Sequence, residues 1–343
     1  MNNDSVISID LAKNVFQVCH LNKHNKVTTN KKVTRPKLLD AVRKLDATTV
    51  VMEACYSSNH WGRMLQDNGF TVKLIPPHQV KPFVVGNKND HNDAVAIAEA
   101  SQRPKATFVP VKSYEQQDIQ SLGRIRDRLV KSRTAVANQM RGLLAEYGIV
   151  FEKKIATLRK QIPSILEDAE NTLTHTARNF IFELYDELSD LDERIKNNEA
   201  TTIRLLENND DYQRLLTVPG FGPIISQTMI SSINSADQFQ NGRQFSAWIG
   251  LTPKQHASGD MSRMLGMSKR GNASLRKQMI HGARAVIRWI EGKTDPLSLW
   301  VINLLATKPK CKVVVALANK LARIAWAVLF KGETYNANKL AAS

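Results

Sequence analysis

The N-terminal third of the chain alternates short β-rich runs with helical patterns, and this alternation limits the folds it can adopt. Runs rich in β-branched residues and bounded by turn residues predict strands. The five predicted strands are SVISID, NVFQVCHL, KVTTNKKVT, TTVVMEA and TVKLIPP. Helical patterns occur in PKLLDAVRKL, SNHWGRMLQDNG and NDAVAIAEASQ, where Asn92 is a plausible N-cap. Three strands followed by alternating helix and strand predict a mixed α/β sheet domain that ends near Pro104.

The rest of the chain is predicted to be helical. Residues 113–148 and 174–206 form two long, polar helical patterns, which are consistent with an antiparallel coiled-coil arm that joins subunits. An ordinary helical bundle explains the same periodicity equally well. After Asp211 the pattern remains helical, with glycine-rich turns. We therefore predict three domains, over residues 1–110, 111–210 and 211–335.

The net charge of +16 indicates an anionic partner. From Lys254 to the end there are 16 Lys and Arg and only 4 Asp and Glu, a net charge of +12, so most of the excess lies in the last quarter of the chain. A surface that binds a polyanion predicts this clustering.

Neither the cysteines nor the apolar segments indicate export. The three cysteines are far apart, with no CxxC pair, which is typical of thiols in a reducing compartment. The N-terminus lacks the basic start and apolar core of a signal peptide. The apolar stretch from Val313 to Phe330 contains Asn319, Lys320 and Arg323, which favours a packed helix over a membrane span. The sequence therefore predicts a cytoplasmic protein without a membrane partner.

Four carboxylates stand at the predicted element ends. Asp10 ends the first strand, and Glu53 ends the fourth. Asp90 and Asp93 begin a helix three residues apart, so their Cβ atoms are expected about 5–6 Å apart on one face. Such oxygen ligands suit Mg²⁺ or Mn²⁺. In the alternative interpretation Asp90 caps a helix, Asp93 interacts with the helix dipole and Glu53 is a solvated strand end. The order of the elements favours a joint site at one edge of a ribonuclease-H-like sheet.

The segment VPGFGP joins two helical runs and resembles the turn of a helix-hairpin-helix element. Gly220 and Gly222 there can let backbone N–H groups approach a phosphate. A tight turn between packed helices is an equally good interpretation.

The segment GLTPKQHASGDMSRMLGMSKRGNASLRK is long, polar and enclosed by apolar helices, which predicts a functional loop. Ser258 is a candidate nucleophile, since a serine hydroxyl can attack phosphorus to give a phosphoserine. A solvated loop serine is the default interpretation, since no His–Asp pair is readable around Ser258 and His256 is only a weak candidate base. A basic cluster follows and predicts phosphate contacts. Its members are Lys269, Arg270, Arg276 and Lys277.

Several of these segments together resemble the insertion sequence 110 family of transposases, and their sequences are most similar to its 1111 subgroup. They are IDLAKNVFQVCHLN, VVMEACYSSNHW, VKLIPPHQVKPFVVGNKNDHNDAVAIAEA, LLTVPGFGP and FSAWIGLTPKQHASG. The resemblance covers nearly the whole chain. It implies a RuvC-like DEDD domain, a helical arm and an all-α C-terminal transposase domain. It assigns the metal site to Asp10, Glu53, Asp90 and Asp93, and the catalytic serine to Ser258 through its Ser-Gly step.

The resemblance also implies partners and a mechanism. Members of the family are expected to be recombinases in which a structured guide RNA pairs with donor and target DNA, while the serine forms a 5′-phosphoserine link. The active site is expected to be composite, with two subunits contributing within a dimer or tetramer. Two other functions remain open at this level: a RuvC-like nuclease that hydrolyses DNA with water, and a basic nucleic-acid-binding protein without catalysis.

Overall fold

The computed structural model describes residues 4–86, 89–152, 154–233, 235–258 and 261–338. The chain forms two compact units, residues 1–116 and residues 117–343. The second unit contains the predicted third domain and all of the predicted second domain except residues 111–116, so a domain boundary near residue 210 stays a prediction.

The first unit is built on a five-stranded sheet with the strand order β3-β2-β1-β4-β5. Strands β1, β2 and β3 are antiparallel neighbours, whereas β4 runs parallel to both β1 and β5. The mixed α/β sheet and its five strands are therefore confirmed. The strands are β1 Val6–Asp10, β2 Val15–Leu21, β3 Val27–Thr34, β4 Thr49–Glu53 and β5 Thr71–Ile75.

Helices cover both faces of this sheet. On one face Ile7, Ile9 and Met52 pack with helices α1, Leu38–Arg43, and α2, Ser58–Asp67. The opposite face is covered by a longer helix, α4, which follows two short elements. In chain order these are α3 Pro77–Val80, a 3-10 turn Lys81–Phe83, and α4 Asp90–Ser101.

The alternation of side chains along the strands assigns the candidate acids to the α4 face. Val6 and Val51 pack against the alanines of α4. Because successive residues of a strand point to opposite faces, Asp10 lies on the same face as Val6, and Glu53 on the same face as Val51. The helix begins at Asp90, and its N-cap is Asn89, whose side chain accepts a hydrogen bond from the Asn92 backbone N–H at 2.8 Å. The predicted N-cap at Asn92 was therefore wrong, because Asn89 is the residue with extended backbone before the first turn.

The second unit begins with three helices that share a core. They are α5 Tyr114–Ala145, α6 Ile155–Glu167 and α7 His175–Leu206. Arg126 pairs with Glu199 at 2.6 Å and Arg133 with Asp192 at 3.3 Å, so α5 and α7 run antiparallel, as predicted. Their shared apolar core includes Leu129, Met140 and Leu188. Whether this pair of helices joins subunits stays a prediction.

The C-terminal part packs six helices around one core and adds a β-hairpin. The sequence predicted a polar loop after GLTP and an all-α C-terminal domain. Both predictions were wrong, because this segment forms the two strands of the hairpin. The described side chains of the hairpin are largely exposed, so neither face needs to be apolar and the strands show no alternation of apolar and polar residues. The two strands are paired through their backbones. The elements are α8 Asp210–Leu216, α9 Pro223–Ile230, α10 Gly242–Ile249, β6 Pro253–Ser258, β7 Met261–Met267, α11 Ala273–Arg288, α12 Pro296–Thr307 and α13 Lys310–Lys331.

Helix α13 is the only helix among the described residues that is long and apolar enough to cross a membrane by length and composition. Half of its most apolar 18-residue stretch is buried inside the protein. Val313, Leu317 and Leu321 belong to the core of the second unit. The predicted packed helix is therefore present.

Two glycines hold the base of the hairpin against α10. Gly250 ends α10 with φ +84°, and a methyl group there would overlap the Arg270 carbonyl oxygen. Gly271, with φ +88°, makes the reciprocal approach to the Trp248 carbonyl. The segment that carries Lys269 is thus fixed to the end of α10 by backbone contact that only glycine permits.

We expect Gly250→Ala to lower the free energy of unfolding by about 2–4 kcal/mol, because it combines left-handed backbone strain with overlap in a closed space. Gly292→Ala is the matched control, since Gly292 has φ +75° and nothing within 4 Å of an added methyl group. Urea unfolding followed by tryptophan fluorescence measures both variants. Equal losses in the two would show that the contact with Arg270 contributes nothing.

Candidate functional site

Asp10 and Glu53 lie side by side at the carboxyl ends of two neighbouring parallel strands. The register pairs Ile9 with Met52, so the next residue of each strand is one of the two acids. Both side chains are half-buried. Two carboxylates at this spacing on one face of a sheet can share a cation.

Both of these carboxylates affect the pKa of the Cys55 thiol. Burial is the main reason that the pKa of Cys55 rises to about 11, and the negative charges of Glu53 and Asp10 raise it further. Cys55 is therefore an uncharged thiol at neutral pH in this structure. The electrostatic coupling also shows that both acids lie near one point at the edge of the sheet.

Helix α4 contacts the sheet on the face that carries these acids. The buried Ser8 hydroxyl donates a hydrogen bond to the Ala94 carbonyl at 2.6 Å. Ser8 and Asp10 point to the same face of β1, and Ala94 directly follows Asp93. The first turn of α4 is thereby held next to Asp10. Asp93 is half-buried in this turn, whereas Asp90 is exposed.

A chain of side-chain amides ties β2 and β3 to the start of α4. Gln17 pairs with Asp10 across β1 and β2, and only 4% of it is exposed. Its Nε2 donates to Asn30 Oδ1 at 2.5 Å, and Asn30 Nδ2 donates to the His91 carbonyl at 3.1 Å. The Gln17 Oε1 atom is buried and has no hydrogen-bond partner among the described residues.

The arrangement brings Asp10 and Glu53 together and places Asp93 nearby, but it does not close a complete metal site. Within the described ranges no three His, Cys, Asp or Glu side chains lie close enough to hold a metal ion. The donor types fit a hard divalent cation, and the unpartnered Gln17 Oε1 beside Asp10 fits a hydrated ion. His91 is exposed on the first turn of α4.

Sequence analysis did not identify Gln17 or Asn30 as functional residues. A neutral amide carries no charge pattern, and although Gln17 lies in the segment IDLAKNVFQVCHLN, the resemblance assigns no role to it or to Asn30. The available signal was positional, since Gln17 shares its face of an apolar strand with Cys19 and Leu21, which are both buried. A polar residue at a buried position needs a partner.

In the second unit Ser258 is the last residue of β6, where its backbone pairs with Met261 of β7. The two residues that follow it, Gly259 and Asp260, lie outside the described residues. The backbone thus places the candidate nucleophile at the end of β6, in a hairpin whose described side chains are largely exposed. Among the exposed residues of the partner strand are Met261 and Met264.

The predicted basic cluster divides into two kinds of residue. Lys269, Arg270 and Lys277 are exposed. Arg276 is half-buried, and its Nη1 donates to the carbonyls of Ile249 at 3.0 Å and Arg270 at 3.2 Å. Arg276 therefore holds the segment after the hairpin against α10, whereas the other three are available to an anion.

The glycine turn between α8 and α9 is held by close backbone packing. Gly220 has φ +77°, and an added Cβ would lie 2.6 Å from the Gly282 carbonyl oxygen in α11. Gly222 is the N-cap of α9 and has open space around it. The interpretation of Gly220 as a tight interhelical turn is thus supported, and a phosphate contact at Gly222 stays a prediction.

Two sequence profiles match the chain. The profile described as "Transposase IS116/IS110/IS902 family" matches residues 212–296, and a DEDD-type IS110 profile described as "Transposase" matches residues 7–149. The transposase for insertion sequence element IS1111A of Coxiella burnetii is 43% identical over 98% of this chain and 92% of its own length. The chain belongs to the IS110 family of transposases.

Other relatives of this IS110 transposase align over the same length. A probable family 20 transposase of Pseudomonas aeruginosa is 43% identical over 97% of this chain and 99% of its own length. The transposase for insertion sequence element IS1328 of Yersinia enterocolitica is 34% identical over 98% of this chain and all of its own. The chain is therefore a DNA transposase, and its N-terminal sheet fits the nuclease-like fold of DEDD enzymes.

Proposed function

We propose that this transposase is an RNA-guided recombinase that cuts and rejoins DNA through a phosphoserine at Ser258. Its cofactor in this proposal is Mg²⁺ or Mn²⁺, held by Asp10, Glu53, Asp90 and Asp93. The observation that supports the proposal most directly is the position of Asp10 beside Glu53, next to the first turn of α4.

The carboxylates give the site its charge and its geometry. A divalent cation bound there supplies positive charge that stabilises phosphate oxygens during strand transfer. Asp10 and Glu53 are held by the sheet, whereas Asp90 and Asp93 are held by the capped start of α4. Side chains on rigid elements hold ligand positions more precisely than loops do.

Ser258 carries the covalent step in this proposal. Its Oγ attacks a DNA phosphorus, the bond from phosphorus to the 3′ oxygen breaks, and the serine proton is balanced by the proton that the 3′ oxygen gains. The 5′-phosphoserine conserves the ester bond, so the 3′ hydroxyl of another strand can later displace the serine. The position of Ser258 at the end of β6, in a hairpin whose described side chains are largely exposed, supports this role.

The remaining parts of the proposal concern DNA, RNA and assembly. The exposed cations Lys269, Arg270 and Lys277 and the turn at Gly222 contact DNA phosphates in the proposed complex. A guide RNA that pairs with donor and target DNA rests on the family resemblance, and so does a composite site formed by two subunits of a dimer or tetramer. Chromosomal DNA as substrate locates the reaction at the bacterial nucleoid.

RNA guidance is tested by supplying the purified transposase with donor and target DNA, with and without RNA transcribed from the non-coding end of its element. Recombination is expected only with the RNA. Changing the target-pairing loop is expected to redirect insertion to the matching new target. Recombination of equal yield without RNA would overturn the proposal that an RNA guides the reaction.

We expect Gln17→Ala to weaken Mn²⁺ binding 10–100-fold, because residues that support metal ligands contribute about this much to metal affinity. Electron paramagnetic resonance of free Mn²⁺ measures the affinity independently of activity. The matched control is Gln66→Ala, on the helix α2 that covers the opposite face of the sheet. Unchanged Mn²⁺ affinity in Gln17→Ala would show that Gln17 does not support metal binding. A wild-type protein that binds no Mn²⁺ would overturn the proposed metal site itself.

A further inference from the structure

A cavity of about 480 Å³ lies between α10 and α13 in the second unit, and the proposed catalytic residues do not line it. Three basic residues line it, Arg243 from α10 and Lys320 and Arg323 from α13. Its lining contains no acidic residue. A pocket with this charge selects an anion.

The three cations have no acidic partner within the part of the chain that the structure describes. Burial lowers the pKa of Lys320, and the positive charge of Arg323 lowers it further. Positive groups held together without a counter-charge repel one another, so a bound anion stabilises this arrangement.

The start of α10 adds backbone polarity to the same cavity. Asn241 caps the helix by accepting a hydrogen bond from the Gln244 backbone N–H at 2.9 Å. Gly242 lies so close to α13 that an added Cβ would be 3.1 Å from the Arg323 Cα. The positive end of the helix dipole and the Arg323 backbone therefore meet at one wall of the cavity.

The walls of the cavity are fixed by aromatic contacts. Trp326 lines it, donates from its indole N–H to the Ala236 carbonyl at 3.1 Å and stacks on Phe330 with ring centroids 4.8 Å apart. The Lys320 ammonium lies 4.7 Å from the centre of the Trp300 ring. A site whose side chains are already ordered loses little entropy when a ligand binds.

We propose that this cavity binds a phosphodiester group of the DNA backbone, with Arg243, Lys320 and Arg323 as the recognising residues. It is an anchor that positions DNA without reading its sequence. DNA is the polyanion on which a transposase acts, so the anchor does not depend on the proposed serine, metal or guide RNA.

The test is fluorescence anisotropy of a DNA duplex with the full-length protein at several KCl concentrations. Arg243→Gln and Arg323→Gln are each expected to weaken binding about tenfold in about 0.1 M salt. The slope of log K against log salt is expected to fall by about 0.9, the value for one phosphate that the protein no longer neutralises. Arg323→Lys keeps the charge and is expected to keep the slope, which separates the loss of the charge from the loss of the guanidinium group.

Lys331→Gln is the matched control, because Lys331 is exposed at the end of the same helix and its replacement removes the same charge. Thermal unfolding of each variant checks that the fold is intact. Slopes for Arg243→Gln and Arg323→Gln equal to that of Lys331→Gln would overturn the anchor. A loss of affinity for single-stranded RNA with unchanged DNA affinity would also overturn it, by assigning the cavity to RNA.

Discussion

Replacing Ser258 by alanine is expected to abolish the covalent protein–DNA adduct and all strand exchange. Loss of a nucleophile that acts together with its activating groups costs on the order of a millionfold in rate. The adduct is measured by denaturing electrophoresis with 5′-radiolabelled and 3′-radiolabelled DNA, since a 5′-phosphoserine retains only the label on the 3′ side of the cut.

Ser262→Ala is the control for this experiment. Ser262 lies on the other strand of the same hairpin, and its backbone pairs with Ala257. The control is expected to form the adduct at the wild-type rate. An adduct that persists in Ser258→Ala would assign the nucleophile to another residue. Free 5′-phosphate ends without any adduct would show that the enzyme hydrolyses DNA with water.

Asp10→Asn is expected to reduce DNA cleavage by about a thousandfold or more. Asp10 lies beside Glu53 and across from Gln17, so its loss removes charge from the centre of the proposed site. Stabilisation of charge on phosphate by a metal site contributes several kcal/mol, and each 1.36 kcal/mol corresponds to about tenfold in rate. DNA affinity is expected to stay equal or to rise, because a negative charge near phosphate is removed.

The matched control is Asp46→Asn, which removes the same charge from an exposed acid of the same unit. Single-turnover cleavage at saturating protein separates the chemical step from binding, and a Mn²⁺ titration reports metal affinity directly. If Asp10→Asn cleaved DNA at the rate of Asp46→Asn, the carboxylate site would have no catalytic role. A loss of cleavage together with a loss of thermal stability would instead assign Asp10 a structural role.

Much of the first unit was predictable from sequence because β1, β2 and β4 are largely buried and read as apolar runs, with Asp10 and Glu53 at the ends of β1 and β4. The mostly exposed β3 was predicted from its β-branched residues and the turn before it. The hairpin at Ser258 was not predicted, because its strands have neither a buried face nor β-branched residues. The N-cap at Asn89 was missed because several polar residues there are able to cap.

The sequence by itself determined the sheet, the helical second half, the acids at strand and helix ends, and the positive charge of the C-terminal region. These follow from local periodicity and composition, which act over a few residues. Only the tertiary structure decided that α4 covers the face of Asp10, through the contact between Ser8 and Ala94, and that Gln17 lies across from Asp10 and donates to Asn30. Those contacts join residues far apart in the chain, so no local pattern records them.

The same distinction applies to the second unit. Lys320 and Arg323 are visible in the sequence as polar interruptions of an apolar helix, and their spacing places them on one face of α13. Arg243 joins them only because α10 packs on α13 where Gly242 permits close approach. Charged residues can be identified from the sequence, but a cavity exists only after helices distant in the chain have packed together.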